Sequence, residues 1–206
     1  LAPKAEHAKD RRPAGGGSGP DPLPRAVLVG VTEREAGALR EFFDHYGDSV
    51  HGLAYRLVGE ELVQDVAQEV FFKVYRAAHR LDPDRDPRYW LSAITYNTCR
   101  EFWRSSAHKL SQHTVSMQDK PEVGDRLRVV SESPEEELLK KEREDQVQAA
   151  ILSLPESLRA SVILHDYEGL GHEEVATMTG VSHVAARKRY SRALAELAKK
   201  LRSEPR

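Results

Sequence analysis

Between residues 39 and 57 the apolar positions Leu39, Phe42, Phe43, Tyr46, Val50, Leu53, Ala54 and Leu57 recur at steps of mostly three and four. That is the helical period, and Gly59 is a natural stop for the helix it predicts. A second stripe, Leu62, Val63, Val66, Ala67, Val70, Phe71, Val74 and Tyr75, predicts a second helix. Its opposite face carries Glu61, Asp65, Gln68, Glu69, Lys73 and Arg76. Residues 81–87, Leu-Asp-Pro-Asp-Arg-Asp-Pro, read as a loop. A third helix is expected over 88–106. It mixes Tyr89, Trp90, Tyr96, Phe102 and Trp103 with Arg88, Arg100 and Arg104. Trp90, with Leu91 and Ile94, is expected to pack the core.

The pattern fades on either side of this block. Residues 1–24 are punctuated by Pro and Gly, including Gly15-Gly16-Gly17-Ser18-Gly19, and are expected to form a flexible tail. The short apolar run at 26–31 fits a strand or a segment that orders on a partner. Over 107–133, His, Ser, Gln, Asp, Pro and Gly replace the periodic apolar residues, which predicts a linker.

Periodicity then returns. Ser133, Pro134 and Glu136 form a capping-box signature. Leu138, Leu139, Val147, Ala150, Ile151 and Leu154 follow on one side of a helix. A helix after Pro155 turns Leu158, Val162, Ile163 and Tyr167 inward. A short one over 171–179 presents Val175, Ala176 and Met178. The last carries Val181, Ala186, Tyr190, Ala193, Leu194, Leu197 and Leu201. The expected architecture is all-α, with two small helical domains joined by a flexible linker. The boundaries fall at 1–30 for the tail, 31–106 for the first domain, 107–132 for the linker and 133–206 for the second domain.

Composition narrows the function. A net charge of −2 argues at first against a nucleic-acid partner. The total hides segregation: residues 111–145 hold ten acidic residues against six basic, whereas 182–192 hold Arg187, Lys188, Arg189 and Arg192 and no acid. A local basic patch decides the matter, because screening confines charge effects to about 8–10 Å. Cys99 is the single cysteine, which excludes a disulfide framework and a structural zinc site built on cysteines. It is expected to be a small core residue. The nine histidines lack ligand spacing, and neither a phosphate-binding loop nor a nucleophile elbow occurs. No enzyme activity, cofactor, metal or small-molecule substrate is expected. The chain start lacks the order of a signal peptide and no apolar run is long enough to span a membrane, so a cytoplasmic protein is expected.

The strongest chemical pattern is a short acidic helix, a turn at Gly180 and a longer basic helix, which matches helix-turn-helix geometry. Ser182 is a natural N-cap for the second helix. His183, Val184, Arg187 and Lys188 lie near its start and off the apolar stripe, where side chains can reach base edges in a major groove. Arg189 and Arg192 are better placed for phosphates. Taken alone, such a helix is as compatible with an ordinary solvated basic face.

The segment Leu-Pro-Glu-Ser-Leu-Arg at 154–159, Glu168-Gly-Leu170, Glu173-Glu-Val-Ala176, Gly180-Val-Ser182 and the basic helix after it resemble the fourth region of a sigma factor. Asp65-Val-Ala-Gln68-Glu69-Val-Phe71, Trp90-Leu91 and the stretch from Ile94 to Asn97 resemble the second region of the same family. Two such domains without a folded one between them are the layout of the extracytoplasmic-function (ECF) branch of the sigma-70 family. The resemblance spans about residues 39–201. Ala186, Lys188 and Tyr190 depart from its usual Val, Ser and Leu.

The resemblance implies roles that these side chains can support. Asp65, Gln68 and Glu69 would dock on the clamp of core RNA polymerase through charge-assisted hydrogen bonds. On periodicity alone that face is only a solvated one. The loop and third helix would meet and open the minus-ten promoter element through Asp84, Arg85, Arg88, Tyr89, Tyr96, Asn97, Arg100, Trp103 and Arg104, by stacking and phosphate contact. Ser182, His183, Val184, Arg187, Lys188, Arg189 and Arg192 would read the minus-thirty-five element. Core polymerase (clamp and flap regions), promoter DNA and an anti-sigma factor covering both domains are the implied partners. The alternative is a helix-turn-helix regulator that acts without being a polymerase subunit.

Overall fold

The computed structural model describes residues 21–112 and 134–203, with side chains placed over 21–105 and 138–202. Eight α-helices occur among the described residues, and no strand. They are α1 (Arg25–Thr32), α2 (Ala36–Val58), α3 (Glu60–Ala77), α4 (Arg88–Gln112), α5 (Pro134–Leu152), α6 (Glu156–Val162), α7 (His172–Thr179) and α8 (His183–Ser203). A 3₁₀ turn over Ala78–Arg80 follows α3, and a π turn over Ile163–Tyr167 continues α6. None of the helices among the described residues is long and apolar enough to cross a membrane.

The part of the expected tail that is described is folded. Residues 26–31 lie within α1 instead of a strand, and Leu23, Leu28 and Val31 are buried. The Leu23 amide donates to the Tyr46 hydroxyl at 3.3 Å, and Arg25 pairs with Asp84 at 2.6 Å. Gly30 allows the close crossing on α2: a Cβ there would sit 2.7 Å from that of Ala38. Tertiary packing therefore overrides the weak helix propensity of a Val- and Gly-rich run. Residues 1–20 lie outside the described residues.

α2, α3 and α4 form the first bundle. The Phe42 and Tyr46 rings meet at a tilt in its core with centroids 4.9 Å apart, and Phe43 meets Phe71 at the same spacing. Leu91 is buried, with Trp90 and Ile94 half-buried against the core. Thr95 and Thr98 are fully buried on α4, and their hydroxyls donate to the carbonyls of Leu91 and Ile94. That satisfies two polar groups which would otherwise be costly inside. The third helix runs on to Gln112, beyond the expected end at 106. Residues 113–132 of the expected linker, and Ser133 of the expected capping box, lie outside the described residues.

α2 stops where Gly59 takes φ 82° and ψ −179°, a region open almost solely to glycine. An added Cβ would also press to 3.3 Å from Leu152. Gly59→Ala is expected to cost about 1–3 kcal/mol of stability, read from thermal or urea unfolding. Wild-type stability in that variant would refute the strain.

α5 to α8 form the second group. Leu154, Val162 and Ala193 make a small core of their own. The main core, however, is continuous from Leu23 in the first bundle to Ile151, Leu164, Val175 and Ala186 in the second. The two groups thus pack directly. Arg159 donates to the Leu57 carbonyl at the end of α2 and to those of Leu152 and Leu154. Gln148 donates to the Tyr55 carbonyl at 3.1 Å, and the Arg56 guanidinium lies 4.6 Å from the Tyr167 ring centre.

Candidate nucleic-acid interface

The basic helix begins at a built cap. The Ser182 hydroxyl accepts the Ala185 amide at 3.2 Å, which satisfies one of the free donors at the start of α8. The turn before it is left-handed at Gly180, with φ 72°. At the start of α7 the Glu174 carboxylate accepts the Gly171 amide at 2.8 Å. α7 and α8 pack on Val175, Ala176, Met178 and Ala186, all buried. The outer face of α8 is left to solvent. Ser182, His183, Val184, Arg187, Lys188 and Arg192 are exposed, and Arg189 is half-buried.

Behind this face sits a ring cluster that the sequence did not reveal. His165 stacks on His172 with centroids 4.3 Å apart, and Tyr190 closes edge-on against His165 at 4.6 Å. The Tyr190 hydroxyl donates to Asp166 at 2.8 Å, and the His165 Nδ1–H donates to the Leu170 carbonyl. Tyr190, a departure from the usual Leu, is thus tied by a polar bond as well as by packing. Burial lowers the His172 pKa, and the charges of His165, Arg187 and His183 act the same way. The imidazole stays neutral further into the acid range than an ordinary histidine.

The expected minus-ten residues divide into two sets. Asp84, Arg85, Arg88, Tyr89, Asn97 and Arg104 are exposed. Three of them are held by neighbours outside the set: Asp84 pairs with Arg25, Arg85 with Asp82, and Arg88 with Asp86. Burial acts to raise the Asp86 pKa, but the bonds and charge of Arg88 outweigh it and hold the carboxyl below its usual range. Tyr96 and Trp103 belong to the second set, and both are buried. Their rings meet edge to face at 6.4 Å, and the Arg159 guanidinium lies 5.8 Å from the Trp103 ring centre. Arg100 is half-buried beside them. Sequence periodicity could not foresee this, because the covering residue comes from α6. Arg159 was visible only as part of the motif after Leu154-Pro155.

On α3, Asp65 and Gln68 are exposed and Glu69 is half-buried, with its carboxylate 4.0 Å from Lys73. Together with Phe72 and Phe102 they line a shallow depression of about 370 Å³. Lys73 also donates to Glu101 at 2.6 Å, which ties α3 to α4 behind the acidic edge. Cys99 is fully buried, and burial pushes its thiol pKa up to about 12.

Two family models match in order along the chain, Sigma-70 region 2 over residues 42–109 and Sigma-70, region 4 over residues 144–197. The RNA polymerase sigma-H factor of Pseudomonas aeruginosa is 35% identical over 135 residues, 65% of this chain and 70% of that protein. The ECF RNA polymerase sigma-E factor of Escherichia coli K12 is 32% identical over 150 residues, covering 72% and 78%. That of Haemophilus influenzae is 29% identical over 171 residues, covering 82% and 90%. The fold is also that of solved structures. CnrH in complex with the cytosolic domain of CnrY matches with a TM-score of 0.58 at 21% identity, over 88% of this chain and 99% of that one. The sigma factor RpoE in complex with the anti-sigma factor NepR from Bartonella quintana matches with a TM-score of 0.62 at 16% identity, over 81% and 98%. With both sigma regions present in order and these relatives beside them, the chain belongs to the sigma-70 family, in its ECF branch.

Proposed function

We propose that this chain binds core RNA polymerase through Asp65, Gln68 and Glu69, melts the minus-ten element with the face of α4, and reads the minus-thirty-five element with α8. The observation that carries this reading is the capped, solvent-facing start of α8. His183, Val184, Arg187 and Lys188 stand clear of the apolar stripe there. The chain does no covalent chemistry of its own in this reading. It works in the cytoplasm, with polymerase and DNA. An anti-sigma factor is its inhibitor in this reading, by analogy with the solved complex of the sigma factor RpoE with the anti-sigma factor NepR, whose fold it shares.

The test is promoter-specific transcription in vitro from genomic fragments, with bacterial core polymerase alone and with this chain added. New defined 5′ ends that depend on the chain are expected. Absence of both initiation and co-elution with core polymerase would sink the reading. Once the promoter is known, α8 can be dissected. Arg187→Ala is expected to cost about 1–3 kcal/mol and to relax specificity at one base position. Arg192→Ala is expected to weaken all sequences alike and to lower the salt dependence by about one unit of slope. Interchanged behaviour would reverse the two assignments.

A further inference from the structure

One face of α4 is shared between two uses. Ser92, Tyr96, Arg100 and Trp103 recur at four, four and three residues, which places them in one stripe along the helix. In the reading above, Tyr96, Arg100 and Trp103 serve promoter opening. In the folded chain the second group of helices lies on this same stripe. The Ser92 hydroxyl donates to the Glu168 carboxylate at 2.7 Å, across 76 residues of chain. The Arg159 guanidinium faces the Trp103 ring, and Trp103 is 9% exposed and Tyr96 5%. Glu156 and Arg189 lie close enough to act on the Tyr96 hydroxyl.

We propose that the free chain is self-inhibited: the α6 and π-turn surface, through Arg159 and Glu168, is an intramolecular lid on the Tyr96–Trp103 stripe, and opening it is required before single-stranded promoter DNA can stack there. The inference rests on the sigma reading for the role of the stripe, but not for the existence of the lid.

The contact is built to release. Arg100 and Arg159 each bury an Nε that finds no acceptor among the described residues. A buried unpaired donor is a cost that opening to water removes. Glu168 adds a second cost. Burial pushes its pKa up, while the Ser92 bond and the charges of Arg56 on α2 and Arg88 on α4 only partly offset this. The sign of the pH effect follows. A carboxyl whose pKa is higher in the closed form takes up its proton more readily there, so protonation favours closing. Closure is strongest at and below the ordinary glutamate range and weakens as pH rises through the raised pKa.

The test uses the full chain carrying Trp90→Phe, so that Trp103 is the sole indole, and reads acrylamide quenching of its fluorescence. In that background Trp103 is expected to be shielded, and less so as pH rises. Adding Ser92→Asp sets a second carboxylate against Glu168 and is expected to shift the balance about tenfold toward the open form. Quenching and binding of single-stranded minus-ten oligonucleotides should both rise. Combining Ser92→Asp with Glu168→Gln removes the opposed charges and should restore shielding. Glu168→Gln alone should abolish the pH dependence. Where circular dichroism shows the Asp variant to be unfolded, the Gln variant and its pH profile decide. Full quenching of Trp103 in the Trp90→Phe chain would overturn the proposal. So would shielding that neither Ser92→Asp nor pH alters. A chain that shows the lid but neither directs transcription nor co-elutes with core polymerase would overturn the sigma reading alone.

Discussion

Reversing Asp65 and Glu69 together to lysine is expected to abolish promoter-specific transcription while leaving the fold intact. Asp65 is exposed and Glu69 half-buried, so neither supports the core. Glu69 lies 4.0 Å from Lys73, but Lys73 keeps its closer partner Glu101 at 2.6 Å when Glu69 is lost. Exposed substitutions of this kind alter stability by roughly 0.5 kcal/mol or less. At a charged interface, breaking one hydrogen-bonded pair costs about 2–5 kcal/mol, and reversal adds repulsion. Two reversed pairs should therefore remove binding to core polymerase at ordinary concentrations. Co-elution with core polymerase and run-off transcription are the measurements, with circular dichroism as the control for folding. Near-wild-type transcription from the double variant would mean that this edge does not dock on polymerase. Sequence-specific duplex binding that survives the reversal, in a chain that neither initiates transcription nor co-elutes with core polymerase, would favour a regulator that uses α8 without being a polymerase subunit.

Phe42→Ala is expected to bring the largest loss of stability, about 3–5 kcal/mol. Phe42 is fully buried, with the Tyr46 ring 4.9 Å away and Phe43 at 6.2 Å. Deletion leaves a cavity beside rings that cannot collapse without leaving their rotamers. Against a total of about 5–15 kcal/mol for an ordinary domain, much of the molecule would unfold near physiological temperature. Thermal or urea unfolding reads this directly. A loss under about 1 kcal/mol would show that the core relaxes around the gap.

The comparison of α1 with α2 shows what periodicity can reveal. In α2 every buried residue except Ala38 belongs to the apolar stripe read from the sequence, and the helix ends at Gly59 as expected. In α1 the run is short, apolar on nearly all sides and interrupted by Gly30, so no period distinguishes helix from strand. Its helix is decided by docking on α2, where Gly30 meets Ala38. The same distinction divides the candidate interfaces. Ser182 was legible as a cap because capping is local, and the exposed start of α8 follows from the stripe behind it. The covering of the α4 stripe was not legible, because Arg159 over Trp103 and Glu168 against Ser92 come from more than fifty residues further along the chain. The stack of His165 on His172 was not legible for a related reason: they are seven positions apart, and the π turn and the bend at Gly169 bring the rings together.

Cys99 lies under the α4 face with its thiol held protonated, and it is the chain's single sulfhydryl. Peroxides and electrophiles react with thiolates, not with sealed thiols. In the folded chain Cys99 is therefore a poor target for oxidants, and its burial makes it a packing residue. The same burial serves the experimenter: a cysteine introduced on the surface can be labelled with maleimide dyes in the native protein without first removing Cys99.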